Sequence, residues 1–206
     1  MSSARLVLVT AAIVALCASA GSSIVSRRDS TLAWDDGIAE ETSVYLMGGG
    51  YGTAVSFVAP EWAHSVTAIQ FFVVSGDGTE RVARAAVWEP NGAFGAPHSP
   101  ACQAVEFAVD SSYSGWLHVT LPEPVSLVDA DAFPQGSFCV GLHWLTSDSS
   151  WLGLDLTEPI DYRTWVDLGG WWLCDEADVM IRAVVSDEYV SPVRDMSWAR
   201  IKGLFR

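Results

Sequence analysis

Residues 66–74 read VTAIQFFVV, and a stride of two through them decides the fold. Ile69, Phe71 and Val73 fall on one face, as in a strand whose side chains alternate between core and surface. Residues 116–121 (WLHVTL) repeat the pattern, with Leu117, Val119 and Leu121 inward and Trp116, His118 and Thr120 outward. In residues 151–156 (WLGLDL) the same rule turns Leu152, Leu154 and Leu156 inward and Trp151, Gly153 and Asp155 outward. Residues 137–144 and 178–185 are apolar on both faces, which suits central strands covered on each side.

Further strands are expected at 32–34, 53–59, 82–88 and 103–109. Glycine, proline, aspartate and asparagine punctuate the intervals, and helical periodicity is sustained nowhere between residues 31 and 186. A βαβ chain needs helices of about ten residues or more between its strands, and these intervals do not supply them. About nine short strands therefore predict an all-β fold, an antiparallel two-sheet β-sandwich.

The order of segments adds a resemblance. A glycine-rich entry, Gly48-Gly49-Gly50-Tyr51-Gly52, is followed by VTAIQFFVVSGDG, ARAAVWEPNGAFGAP, GWLHVTLPEPVSL, FPQGSFCVGLHW and a closing DVMIRAVV. This succession resembles the jelly-roll accessory domains of large secreted bacterial proteins, similar in outline to galactose-binding-like sandwiches. The resemblance covers roughly residues 31–186. It implies a binding or spacing role and assigns no functional residue.

Composition narrows the function classes. The 206 residues carry 25 acidic against 11 basic side chains, a net charge of −14, with Lys202 the only lysine. Nucleic-acid binding requires a basic face to displace counterions, so that class is excluded. Ten tryptophans and 17 glycines exclude a disordered chain. Past the leader no run of about 18 apolar residues could span a membrane.

The N-terminus reads as a secretory signal over residues 1–20. Arg5 precedes an apolar run over residues 6–18, and Ala18-Ser19-Ala20 supplies small residues for cleavage before Gly21. The alternative is a lipoprotein acylated at Cys17, against which Leu16 stands where a small residue is wanted. The chain then divides into a polar leader (21–30) with the basic pair Arg27-Arg28, a sandwich (31–187), and a linker with a basic amphipathic tail (188–206). In the tail Trp198, Ile201, Leu204 and Phe205 lie among Arg200, Lys202 and Arg206, a pattern suited to docking on its own domain, touching an anionic surface or sorting. The expected location is extracellular or periplasmic.

After Cys17 leaves with the signal, Cys102, Cys139 and Cys174 permit one disulfide with three alternative pairings, and no cysteine or histidine spacing suggests zinc. No nucleophile elbow, zinc-protease helix or phosphate loop occurs, and His64, His98, His118 and His143 are scattered. Acidic groups such as Asp35-Asp36, Glu40-Glu41 and Asp175-Glu176 with Asp178 are raw material for a hydrolase with paired carboxylates, the competing function class. They suit structural calcium better, with Asp35 and Asp36 the candidate ligands; no other cofactor is expected.

Tryptophan is the strongest positive signal. Trp34, Trp88 and Trp144 are expected in the core, and at least one of the adjacent Trp171 and Trp172 must face outward. Outward rings beside polar side chains are what stacking on a sugar requires. The candidate ligand-binding residues are therefore Trp151, Asp155, Trp172, Trp116 and Arg163, with Asp167 a further polar neighbour of these rings. The expected function is an exported, non-catalytic binding module for a glycan or a cell-envelope protein.

Overall fold

A computed structural model describes residues 27–42, 50–74, 80–146 and 152–189. In chain order its strands are β1 (Asp29–Leu32), β2 (Glu41–Thr42), β3 (Gly52–Val58), β4 (Ser65–Val74), β5 (Arg81–Trp88), β6 (Val105–Val109) and β7 (Ser114–Ser126). They continue as β8 (Ser137–Trp144), β9 (Gly153–Asp155), β10 (Thr164–Asp167), β11 (Trp171–Cys174), β12 (Asp178–Val179) and β13 (Ile181–Ser186). The fold is all-β and every pairing is antiparallel. No helix among the described residues is long and apolar enough to cross a membrane.

Two sheets make the sandwich. One has the order β1-β13-β4-β7, the other β11-β10-β3-β8-β5-β6, and a small third sheet runs β12-β9-β2. The faces between the two main sheets carry the expected side chains. Ile69, Phe71 and Val73 of β4 meet Phe57 of β3 and Phe138, Leu142 and Trp144 of β8 in one fully buried cluster. Fully burying such side chains stabilises the fold by about 1.5–3 kcal/mol each.

The doubly apolar segments behave as expected, since β8 is central in its sheet and β13 lies between β1 and β4. The segment 178–185 is divided, however: β12 joins the small sheet and β13 the four-stranded one, with Met180 between them. β7 extends well beyond residue 121 through Pro122 and Pro124. It can do so because it is an edge strand, and both prolines fall where the register against β4 shifts. Two residues assigned to the leader, Asp29 and Ser30, belong to β1.

Close backbone packing on the outer face of the six-stranded sheet requires glycine at two positions. A Cβ on Gly141 would lie 2.0 Å from the Thr53 carbonyl oxygen, and one on Gly52 would lie 2.2 Å from the His143 ring. Around this small-residue floor Trp88, Trp165, Ala54, Ala86, Ala96 and Cys139 form a second buried cluster.

One strand departs from the expected alternation. Leu152 and Leu154 are buried, but Asp155 is only 4% exposed and Leu156 lies at the surface. The cause is the third sheet: β9 is flanked by β12 and β2, and the Phe72, Met180 and Ala39 side chains crowd Gly153. With both faces covered, alternation no longer marks a wet side. Trp151 lies outside the described residues, as do residues 1–26 and 190–206, on which the signal and tail expectations rest.

Candidate functional site

The register of the six-stranded sheet brings four segments to one end. Val58 at the close of β3 pairs with Ser137 at the opening of β8, and Trp88 at the close of β5 pairs with Cys139. Thr164 at the start of β10 pairs with Val55. The loops leaving β5, entering β8 and entering β10 therefore converge, and between them lies a cleft of 540 Å³. That volume falls within the range of roughly 300–1,000 Å³ typical of small-ligand sites.

Backbone conformation singles out this cleft. Among the described residues three non-glycines have left-handed backbones: Phe94 (φ 59), Gln135 (φ 56) and Tyr162 (φ 53). All three line it. The left-handed conformation costs a residue with a Cβ about 1–2 kcal/mol, and such costs concentrate where the chain is held for a purpose. Here they aim side chains: Phe94 is fully exposed at the rim, Tyr162 is 59% exposed, and Val58 adds exposed apolar surface. Hydrogen bonds hold the loops in place. Gly92 N–H donates to the Ala96 carbonyl at 3.0 Å, and Asp161 N–H donates to Asp178 Oδ2 at 3.0 Å.

The polar lining comes from Ser56, Gln135, Ser137, Asp161 and Arg163. Trp165 Nε1 donates to Ser56 Oγ at 2.7 Å, and that hydroxyl lies 3.3 Å from Cys139 Sγ. The Arg163 guanidinium lies 4.2 Å from the centroid of the Trp34 ring, a cation–π stack, and its Nε has no hydrogen-bond partner. Burial pushes the Cys139 thiol up to about 11, against a smaller opposing effect of Ser56, which leaves little thiolate near neutrality.

A smaller cavity of 280 Å³ adjoins the cleft, and Asp161 lines both. It holds Trp34, Asp36, Asp155, Thr157 and Glu158. Ligand atoms of Asp36, Glu40 and Asp155 lie within 4.8 Å of one another. Backbone donors already use these carboxylates: Asp36 N–H and Thr157 N–H each donate to Asp155, Leu156 N–H to Glu40, and Ile38 N–H to Asp36. The group thus ties loops together.

The residues singled out in the sequence do not form one site. Asp155 is buried in the loop staple, which corrects its assignment as an outward sugar acceptor. Asp35, a calcium candidate, has a side chain that is 1% exposed and committed to an ion pair with Arg182. Trp116 is on the outer face as expected, but the Arg182 guanidinium covers its ring at 3.8 Å and Phe72 packs against it. It is therefore not a free platform. Trp172 is 66% exposed on the edge strand β11, whereas Trp171 packs against Trp88 and His143, so the adjacent pair splits as alternation requires. Asp167 accepts from or pairs with His143 Nε2 at 3.1 Å. Of the candidates among the described residues only Arg163 lines the larger cleft. Cys102, Cys139 and Cys174 are all unpaired thiols.

Sequence reasoning missed Phe94, Gln135 and Tyr162. The signal was available for Phe94, a large aromatic in the turn sequence PNGAFGAP, where no strand exists to bury it.

Comparison with known proteins adds little. No family model matches the chain, and no curated protein does. Among solved structures, the clostridial cysteine protease Cwp84 after propeptide cleavage is similar, at 10% identity and a TM-score of 0.46. The match covers 77% of this chain and 40% of that one, so the chain spans less than half that protein's length.

Proposed function

We propose that this chain is a non-catalytic binding module, working outside the cytoplasm, that holds a glycan in the cleft between Phe94 and Tyr162. The observation that carries this reading is the convergence on one cleft of the three left-handed non-glycine residues found among the described residues, two of them presenting aromatic rings to solvent. An exposed aromatic ring stacks on the C–H face of a pyranose, and the Asp161, Gln135 and Ser137 side chains supply hydrogen-bond partners for hydroxyls. The secretory pattern of residues 1–20 supports the location, and kinship with the jelly-roll accessory domains belongs to the same proposal.

The competing hydrolase needs two carboxylates facing one bond across about 5–10 Å. Among the described residues Asp161 is the one carboxylate lining the larger cleft, and the neighbouring trio is bound to backbone donors. Both facts favour binding over cleavage. The test is a glycan array of the protein lacking residues 1–20, run beside a glycosidase panel. Binding that disappears in Phe94→Ala and Tyr162→Ala, with no turnover, is the expected result. Glycan cleavage, or binding unaffected by both substitutions, overturns the reading.

A further inference from the structure

Resting on the reading that the cleft binds a glycan, we infer that the ligand is an acidic sugar, whose carboxylate or sulfate pairs with Arg163 in the larger cleft. The starting point is an arginine without a counter-ion. Among the described residues Arg27 pairs with Asp29 and Glu188, Arg84 with Glu106 and Arg182 with Asp35. Arg163 lines the cleft, yet no described residue accepts a hydrogen bond from its side chain, and its Nε is buried without a partner. Carboxylates are not scarce: the chain has 25 acidic residues, and Asp161 lines the same cleft two positions away. The guanidinium keeps its charge at every accessible pH, so it stands ready for an anion that the protein does not supply.

That charge is fixed in place before any ligand arrives. The guanidinium carbon lies 4.2 Å from the centroid of the Trp34 ring. The ring is itself held, by stacking on Phe57 at 6.0 Å and by its Nε1 donating to the Ser56 carbonyl at 2.9 Å. The Arg163 carbonyl in turn accepts from the Ser56 N–H at 2.9 Å. Main chain and side chain are thus both anchored to β3, and little rotamer freedom is left to lose on binding.

The neighbouring residues complete the site. Asp161, Tyr162 and Arg163 are consecutive, yet all three line the cleft. A strand with alternating side chains could not do this; the left-handed backbone of Tyr162 breaks the alternation. An acceptor, an aromatic ring and a cation therefore stand side by side. A pyranose with an anionic substituent uses all of them: its C–H face on the ring, its oxyanion on the guanidinium, and its hydroxyls donating to Asp161. A neutral sugar leaves the cation unused. The net charge of −14 opposes an anion at long range. Salt screens exposed charges beyond about 8 Å under physiological conditions, however, whereas Arg163 acts at contact distance.

The test is calorimetric titration of the protein with sugars matched except for charge: trigalacturonate and sialyllactose, each against its methyl ester, and lactose sulfate against lactose. The pair that binds tells uronate, sialate and sulfate apart. Its charged member should bind about tenfold more tightly than its neutral one, or better, the effect of a charge-assisted hydrogen bond. Arg163→Gln should bring that ratio to about one. Its melting temperature reports whether the fold is intact, and Arg163→Lys, which keeps the charge without the planar fork, should retain part of the preference. The ratio measured on the parent protein needs no variant at all. Neutral sugars binding as tightly as charged ones, or a preference that survives Arg163→Gln, overturns the inference and leaves the cleft reading standing. Silence of every sugar, charged and neutral, removes both.

Discussion

Asp35 and Arg182, 147 positions apart in sequence, form an ion pair on the outer face of the four-stranded sheet, with Arg182 sandwiched between that carboxylate and the Trp116 ring. The pair pins the segment after β1 against β13. Removing one partner of a largely buried pair leaves the other charge stranded, at a cost of about 3–5 kcal/mol.

Asp35→Ala should therefore lower stability by about 3 kcal/mol, measured by urea unfolding, and neither calcium nor a chelator should alter the difference from the parent protein. A calcium-dependent rise in melting temperature that Asp35→Ala abolishes would restore Asp35 as a metal ligand.

The main sheets were legible because their strands face one dry and one wet side, or two dry ones. Ile69, Phe71 and Val73 are all fully buried, and the apolar run of β8 lies mid-sheet. Legibility failed at β9, where a third sheet covers the side that alternation marks as wet and Asp155 is buried by backbone donors from distant loops. Trp116 shows a related limit: alternation gives its face correctly but not the arginine that covers it, which arrives from another strand. The cleft was illegible for a different reason. Its rim comes from three loops whose proximity is set by strand register, and a left-handed backbone at Phe94 or Tyr162 leaves no mark in residue type.

Cys139 tests whether the thiol that packs against Ser56 of the cleft is inert. Its side chain is fully buried beside Ser56, and burial pushes the thiol up to about 11, leaving almost no thiolate near neutrality. Iodoacetamide at pH 8 should leave Cys139 unmodified in the native protein and alkylate it after denaturation, as read by peptide mass spectrometry. Rapid native labelling at Cys139 would point to a reactive thiol.

Asp178 links pH to the loop that carries Tyr162. Burial holds its carboxyl above the usual range; the Asp161 N–H opposes this, and the charges of Asp161, Asp155 and Asp35 add to it. Because the folded-state pKa is raised, the stability this group contributes is fully present below the unfolded value, about 3.9, and is lost as pH rises through the folded value. Asp178→Asn keeps an oxygen for the Asp161 N–H but carries no charge. The stability of the variant relative to the parent should therefore climb from about pH 4 upward and then level off. A difference that stays flat across that window means that Asp178 has the same affinity for protons folded and unfolded.

Phe94 separates stability from binding. Its ring is fully exposed, so truncation removes little packing, while its φ of 59° costs any residue with a Cβ about 1–2 kcal/mol. Glycine relieves that cost but adds roughly 0.5–1 kcal/mol of unfolded-chain entropy. Phe94→Gly should therefore melt at or slightly above the parent, by up to about 1 kcal/mol, and above Phe94→Ala, which keeps the backbone cost. Both variants should lose glycan affinity, because the rim has lost its platform. A residue selected for folding alone would not show a substitution that stabilises and disables together. If Phe94→Gly instead melts well below the parent, the ring is packing against the domain in solution, and the cleft loses the aromatic rim on which the binding proposal depends.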